Sequence, residues 1–453
     1  MAVTKRSLMW FRRDLRIGDL PALLAAGSDN QTVVPLFVID PGFARTGAPR
    51  RALLHGILND LDEQIRVRFG SRLLIRCGDP VAEVPAMAAA FDASSVYVSR
   101  DYAPYGRQRD TAVGGALAEQ GRSLVGVGSP YAVDPGRVRK GDGTPYKVFT
   151  PFSKIWRQTG VEAPAPDPGD DMDWAPASEL EKYCHPISVP PEPGCDLPSV
   201  GEAAALDRWG SFREAASAAD GTLRSGVSAY SDLRDRPALA GTSQLSPDLK
   251  WGTIHPRTLL ADLDLSGPKD DGEMVFSSEL AWRDFYADVL FTQPHTAWSN
   301  LNAQFDAMPV DTDAAARRRF DQWAAGQTGF SIVDAGQRQL LATGWMHNRV
   351  RMIVASFLVK DLHLPWQWGA RWFMQHLLDG DIASNNHGWQ WAAGTGTDAS
   401  PYFRVFNPTT QQQRYDNRNE YVDRWVEKST EPMLDHGVER EEALRRLKTL
   451  SNK

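Results

Sequence analysis

The chain has 453 residues, 42% hydrophobic and 24% charged, with a formal net charge of −7. That is long enough for two domains with full cores, and too acidic for a generally basic nucleic-acid binder, so any nucleic-acid contact must be a local basic patch. The sequence has no run of about 18 apolar residues, which excludes a spanning helix, and its N-terminus has no apolar leader core. Its three cysteines (Cys77, Cys184, Cys195) are odd in number and lack metal-ligand spacing, which fits a reducing cytoplasm.

Taken in chain order, residues 1–130 alternate strand and helix patterns. Apolar, β-rich runs lie at Ser7–Phe11, Val33–Ile39, Leu73–Arg76, Val96–Ser99 and Ser123–Val127, with helical periodicity at Arg50–Phe69, Val81–Phe91 and Tyr105–Gln120. Continuous apolar strands separated by helices predict a parallel, Rossmann-like sheet covered on both faces. The first strand is not followed by G-x-G-x-x-G, so a dinucleotide is not signalled there. Residues 131–204 are rich in proline, glycine and acid and read as a connector wrapping the surface. Residues 205–453 show helical spacing and few β-runs, predicting an all-α domain. Within it, residues 336–361 read as one helix interrupted at Gly344.

Candidate functional residues concentrate in the helical half. Of 15 tryptophans, 10 lie from Trp282 onward. Indole is oxidisable at moderate potential, so their density beside polar groups suggests an aromatic ligand or electron traffic. Thr242-Ser243-Gln244-Leu245-Ser246-Pro247 offers hydroxyl and N–H donors before a helix, suited to phosphate; the same residues also fit an ordinary capped helix start. Asn348, Arg351 and Met352 share one helical face, a poor stripe for an apolar core, though a solvated polar face would look alike. Asp379, Asp381 and Asn385 lack the further ligands of a calcium loop, so no metal is expected.

The blocks Thr343-Gly344-Trp345-Met346-His347-Asn348-Arg349, Asp379-Gly380-Asp381 and Asn385-Asn386-His387-Gly388-Trp389-Gln390-Trp391 resemble the flavin-binding half of the photolyase/cryptochrome family, and the similarity runs over nearly the whole chain. The resemblance implies FAD bound in the helical half. Tyr230, Thr242, Ser243, Gln244, Leu245, Ser246 and Phe276 would then line its site, with Glu279, Asn348, Arg351, Asp379 and Asp381. Arg351 would pair with Asp379, and Asn385 would face the flavin N5.

By the same resemblance, the activity is light-driven repair of cyclobutane pyrimidine dimers in UV-damaged DNA. An electron would pass from excited reduced FAD to a flipped-out dimer. Glu279, Asn348 and Met352 would contact the lesion, and Trp282 and Trp391 would stack on it. Arg234, Arg349 and Arg404 would meet the DNA backbone.

Trp389 and Trp366 match the inner members of the family's electron relay. The third position aligns near Asp313, where no aromatic stands; Trp323, Trp368 and Trp372 are the alternatives. A second, antenna chromophore is implied at Phe37, Arg51, Asp101 and Lys250. There 8-hydroxy-5-deazaflavin is favoured over folate, because Tyr105-Gly106 stands where folate-binding members carry Asn-Glu. The expected state is a cytoplasmic monomer. A photosensory cryptochrome and a (6-4) photolyase are the alternative functions; Asn385, Glu279, Met352 and Trp282 speak against the first.

Overall fold

The computed structural model describes residues 5–186, 190–214, 226–268, 271–399, 401–428 and 430–451. Five parallel strands, β1 (Arg6–Phe11), β2 (Thr32–Ile39), β3 (Leu74–Cys77), β4 (Ala93–Val98) and β5 (Ser123–Gly126), form one sheet of order β3-β2-β1-β4-β5. The crossovers run through α1 (Pro21–Ala26), α2 (Ala48–Phe69), α3 (Pro80–Ala90) and α4 (Pro104–Ala118). The expected α/β half is therefore present. β1 is almost wholly buried because apolar cores cover both faces, which is why its sequence does not alternate.

Pro35 sits inside β2, where a missing N–H would break an inner ladder. It is tolerated because pairing with β3 begins only at Leu36. Beside that gap the backbone of residues 173–175 takes the free edge: Val33 N–H donates to Asp173 O (2.8 Å) and Ala175 N–H to Val33 O (2.9 Å). Residues 131–204 also hold an eleven-residue helix, α5 (Phe149–Thr159), with Phe152 and Trp156 buried in the helical half.

The remainder is helical: α6 (Glu202–Glu214), α7 (Tyr230–Leu233), α8 (Ser246–Trp251), α9 (Gly272–Thr292), α10 (Ala314–Ala324), α11 (Ser331–Thr343), α12 (Asn348–Ser356), α13 (Trp366–His376), α14 (Ile382–Ala393), α15 (Pro408–Tyr415) and α16 (His436–Ser451). The single helix expected over 336–361 is corrected. Gly344 adopts φ 63° and closes α11 as a left-handed cap. A fresh helix, α12, then begins at Asn348, where the His347 ring accepts from Arg349 N–H. α12 ends in a π-helical turn, Phe357–Asp361. Leu378 of the helical half packs into the core beneath the sheet beside Trp251, so the two halves share apolar contact.

Candidate active site

A cavity of about 500 Å³ opens among α7, α8, α9, α12 and α14. Asp381 accepts from Ala383 N–H (3.0 Å) and Ser384 N–H (3.2 Å) and so starts α14 at the cavity floor. Gly388, about two turns on, lines the cavity with no heavy atom within 4 Å of where a Cβ would stand. The helix therefore presents bare backbone there, an approach surface for a flat ligand.

Of the expected FAD residues, Tyr230, Ser243, Ser246, Phe276, Glu279, Asn348, Arg351, Asp379, Asp381 and Asn385 line this cavity, as does Lys250. Thr242, Gln244 and Leu245 do not. Leu245 is buried in the neighbouring core, and Gln244 is exposed with φ 53°. That kinked conformation puts Ser243 and Ser246, but not the residues between them, on the cavity wall.

Polar groups grade across the site. At the deep end Arg13 holds Asp381 at 2.6 Å and Lys250 lies 3.8 Å from the same carboxylate. Burial alone would raise the Asp381 carboxyl, but Arg13, Lys250 and Arg283 keep it below the usual range. Burial, aided by Arg13, pushes the Lys250 ammonium down to about 7. In the middle, Arg351 grips Asp379 at 2.7 and 3.2 Å, and Asp379 also accepts from Ser246 Oγ at 2.6 Å. Asn385 donates its amide to Ala370 O at 3.1 Å.

At the mouth stand Asn348, Met352, Trp282 and Trp391. Trp282 is stacked face to face on Phe149, centroids 3.7 Å apart, so one indole face is already covered. Arg234 is ion-paired with Glu279 (2.7 Å), and Arg349 with Asp235 through three contacts of 2.7–3.0 Å. Arg349 also lies over Tyr415. Arg404 is exposed on a loop outside the cavity, its guanidinium over Phe406.

Trp389 lines the cavity and is 2% exposed, its Nε1 without a partner among the described residues. Gly369 leaves room for it, since a Cβ there would stand 2.1 Å from the indole. The rings in contact with Trp389 among the described residues are Phe373 (5.0 Å) and Trp323 (6.1 Å). Trp366 is not one of them; it is buried and donates to Asn300 Oδ1 at 2.9 Å. Asp313 caps α10 by accepting from Ala316 N–H at 2.7 Å.

The expected antenna residues lie toward the sheet. Phe37 is buried on β2 in the core that includes Trp251. Arg51 is half-buried on α2, and Asp101 sits 3.4 Å from Arg109. Burial alone would raise the Asp101 carboxyl, but Arg13, Arg12 and Arg109 lower it, while Asp101 in turn steadies Lys250. Arg13, Arg283, Asp235 and Phe149 were not anticipated. The Arg13–Asp381 pair joins positions 368 apart, and nothing local in either segment signals it.

This set fits a flavin dinucleotide. The Ser243 and Ser246 hydroxyls and the Arg13 and Arg283 cations suit a pyrophosphate, the Arg351–Asp379 pair and the Asn385 amide suit the edge of a heterocycle, and the bare α14 backbone suits its plane. Among the described residues no group of three or more His, Cys, Asp or Glu is placed to hold a metal, and no helix is long and apolar enough to cross a membrane.

Comparison with known proteins agrees with the geometry. Residues 7–169 match the family model described as DNA photolyase, and residues 276–436 match the FAD binding domain of DNA photolyase. A deoxyribodipyrimidine photo-lyase of Halobacterium salinarum is 39% identical, covering 92% of this chain and 88% of the relative. A class III photolyase of Agrobacterium tumefaciens superposes with TM-score 0.87 at 32% identity, covering 100% of this chain and 99% of the other. An archaeal photolyase of Sulfolobus tokodaii, solved with two FAD molecules, superposes with TM-score 0.79 at 26% identity, covering 98% and 100%.

Proposed function

The chain belongs to the DNA photolyase family, and on that premise we propose that it is a deoxyribodipyrimidine photo-lyase repairing cyclobutane pyrimidine dimers in DNA. The observation that carries the reading is one cavity in which an FAD-type cradle and a lesion-type mouth are continuous. FAD, when bound and reduced, supplies on absorbing light the electron that opens the cyclobutane ring and takes it back.

The chain's own residues hold and orient. Ser243, Ser246, Arg13 and Arg283 suit the dinucleotide phosphates; Arg351, Asp379 and Asn385 suit the flavin edge. Glu279 can accept from a pyrimidine N–H and the Asn348 amide can donate to a pyrimidine carbonyl, and Met352 and Trp391 offer contact area to an extruded dimer. Trp282 offers its uncovered face. Arg234 and Arg349 can take phosphate only in exchange for Glu279 and Asp235, so Arg404, in no ion pair among the described residues of an acidic chain, is the readiest backbone contact.

The division into an antenna-binding half (1–130), a connector (131–204) and a catalytic half (205–453) belongs to the same proposal, as does a cytoplasmic monomer. The antenna is assigned to Phe37, Arg51, Asp101 and Lys250, with a deazaflavin as the chromophore. The second FAD of the Sulfolobus protein names the alternative that chromophore extraction would reveal.

The test is direct. Anaerobically reduced protein is mixed with a duplex carrying one thymine dimer and illuminated with blue light beside a dark control. Light-dependent recovery of intact thymines is expected, and is expected to fall sharply in Glu279→Ala while bound flavin is retained. No recovery despite bound, reduced flavin would move the assignment to a (6-4) lesion or a photosensor.

A further inference from the structure

The π-helical turn Phe357–Asp361 carries a lysine where the core is closed. Lys360 is 1% exposed, and among the described residues the only acceptor its ammonium meets is the Arg404 carbonyl, at 3.1 Å. Its charge lies over the Tyr402 ring, 5.2 Å from the centroid. Tyr402 is itself buried and packs on Phe305. The neighbouring Asp361 gives its Oδ1 to His436 Nδ1 at 2.5 Å, and its buried Oδ2 has no hydrogen-bond partner among the described residues, Lys360 included.

An ammonium removed from water for one carbonyl oxygen and one ring face is an expensive way to fill space; an unbranched apolar side chain would fill it at less cost. What the ammonium adds is direction. It fixes the backbone of the 401–406 loop at the residue whose guanidinium points to solvent. π-turns insert one extra residue into a helix and recur where a side chain must be re-aimed; here the turn aims Lys360 at that loop.

We propose that Lys360 is a positioning residue for DNA binding: it pins the Arg404 backbone from beneath, so that the exposed guanidinium meets phosphate without the loop first having to be ordered. The proposal rests on the DNA-binding reading of Arg404. A guanidinium on a fixed backbone loses less freedom on binding than one on a loose loop. The groups facing Lys360 are Asp361 on its own turn, Tyr402 and Arg404 on the loop, and beyond Asp361 the His436, Glu439 and Arg446 side chains of α16. Burial pushes the ammonium down to about 8. The pin therefore weakens as pH rises through that value, and lesion affinity should fall in the same range.

The experiment measures binding of a thymine-dimer duplex to the flavin-loaded protein across salt and from pH 7 to 9. In Lys360→Met, flavin content and melting temperature should be kept or raised, while lesion affinity falls several-fold and the salt slope flattens by about one, as if the Arg404 contact were lost. Lys360→Arg should restore part of the affinity, and the pH dependence should vanish in Arg404→Ala. If Lys360→Met binds like the parent while Arg404→Ala is weakened, the positioning role is overturned and the reading of Arg404 stands. If Arg404→Ala itself binds like the parent, the loop is not a DNA contact. Should Lys360→Met fail to fold, the parent's own profile decides. Affinity falling through about pH 8 in the parent but not in Arg404→Ala supports the pin, and a flat profile overturns it.

Discussion

At the scale of single residues, Asp379 ties α8 to α12 across the cavity. It holds Arg351 with both oxygens and takes the Ser246 hydroxyl. Asp379→Asn removes the charge but keeps the shape, so Arg351 is left half-buried without its counter-ion. Breaking a partly buried pair in this way costs about 2–3 kcal/mol, less than for a fully buried one because Arg351 keeps some solvent. The expected result is protein that folds but purifies with much less flavin than the parent, read from the ratio of visible to ultraviolet absorbance. A full complement of flavin would remove the Arg351–Asp379 pair from the cradle.

The residues of this pair were legible because two short, unusual blocks carry them. Asp235 and Phe149 were not, since an aspartate in a polar turn and a phenylalanine in a proline-rich connector resemble many others. Their roles arise from distant partners, Arg349 and Trp282.

At the scale of elements, the contact between α13 and α14 sets which rings adjoin Trp389. Gly369 on α13 admits the Trp389 indole, and the ring chain that continues from it runs to Trp323, then Phe320 at 5.5 Å, then the half-exposed Trp368 at 5.6 Å from Phe320. Arg317 lies over Trp368 at 4.3 Å. The position where the family resemblance places an outer tryptophan is instead an aspartate capping α10. A helix start needs a short acceptor at that point, so the departure has a local cause. Flavin photoreduction should therefore be rerouted through α10. Trp323→Phe is expected to slow photoreduction of oxidised flavin more than Trp366→Phe does, with repair by chemically pre-reduced flavin unchanged in both. Transient absorption showing the larger loss in Trp366→Phe would reject the α10 route. Element type was readable here, and so was the interruption at Gly344; that it separates two independently capped helices was not. The periodicity of α11 runs on into α12, and the break at residues 344–347 comes from a left-handed glycine and a histidine cap, features with no hydrophobic period.

At the scale of the whole molecule, charge is buried at the seams. The strand and helix periods of the two halves were plain because they are set by neighbours a few residues away. The seam was not, because it is built from pairs such as Arg13–Asp381 and Arg257–Asp19, which join positions 368 and 238 apart in the chain. This burial fixes how stability responds to pH. Asp284 and Asp361 are raised to about 6 by burial, so the folded state holds extra protons between roughly the ordinary carboxylate value and 6. His347 and His387 are lowered to about 4 by burial, so over nearly the same range the folded state holds fewer protons than the unfolded chain. The two effects have opposite sign and largely cancel.

The lysines are opposed only nearer the ordinary thiol and phenol values, where burial raises Cys77, Cys195 and tyrosines such as Tyr105 and Tyr131. Lys250 falls to about 7 and Lys360 to about 8, while both return to about 10.5 on unfolding. Between those values the unfolded chain binds more protons, and stability rises with pH wherever that is so. The apoprotein should therefore change little in melting temperature from pH 4.5 to 6 (roughly the compensated window), gain stability from about pH 7 to 8.5, and lose the gain above that as the raised thiols and phenols oppose it. The gain should shrink in Lys250→Met, whose neutral side chain has no proton to release. A melting temperature that falls steadily above pH 7 would mean that the Lys250 ammonium keeps its charge between Arg13 and Asp381, and that the deep end of the cavity is more hydrated than its packing implies.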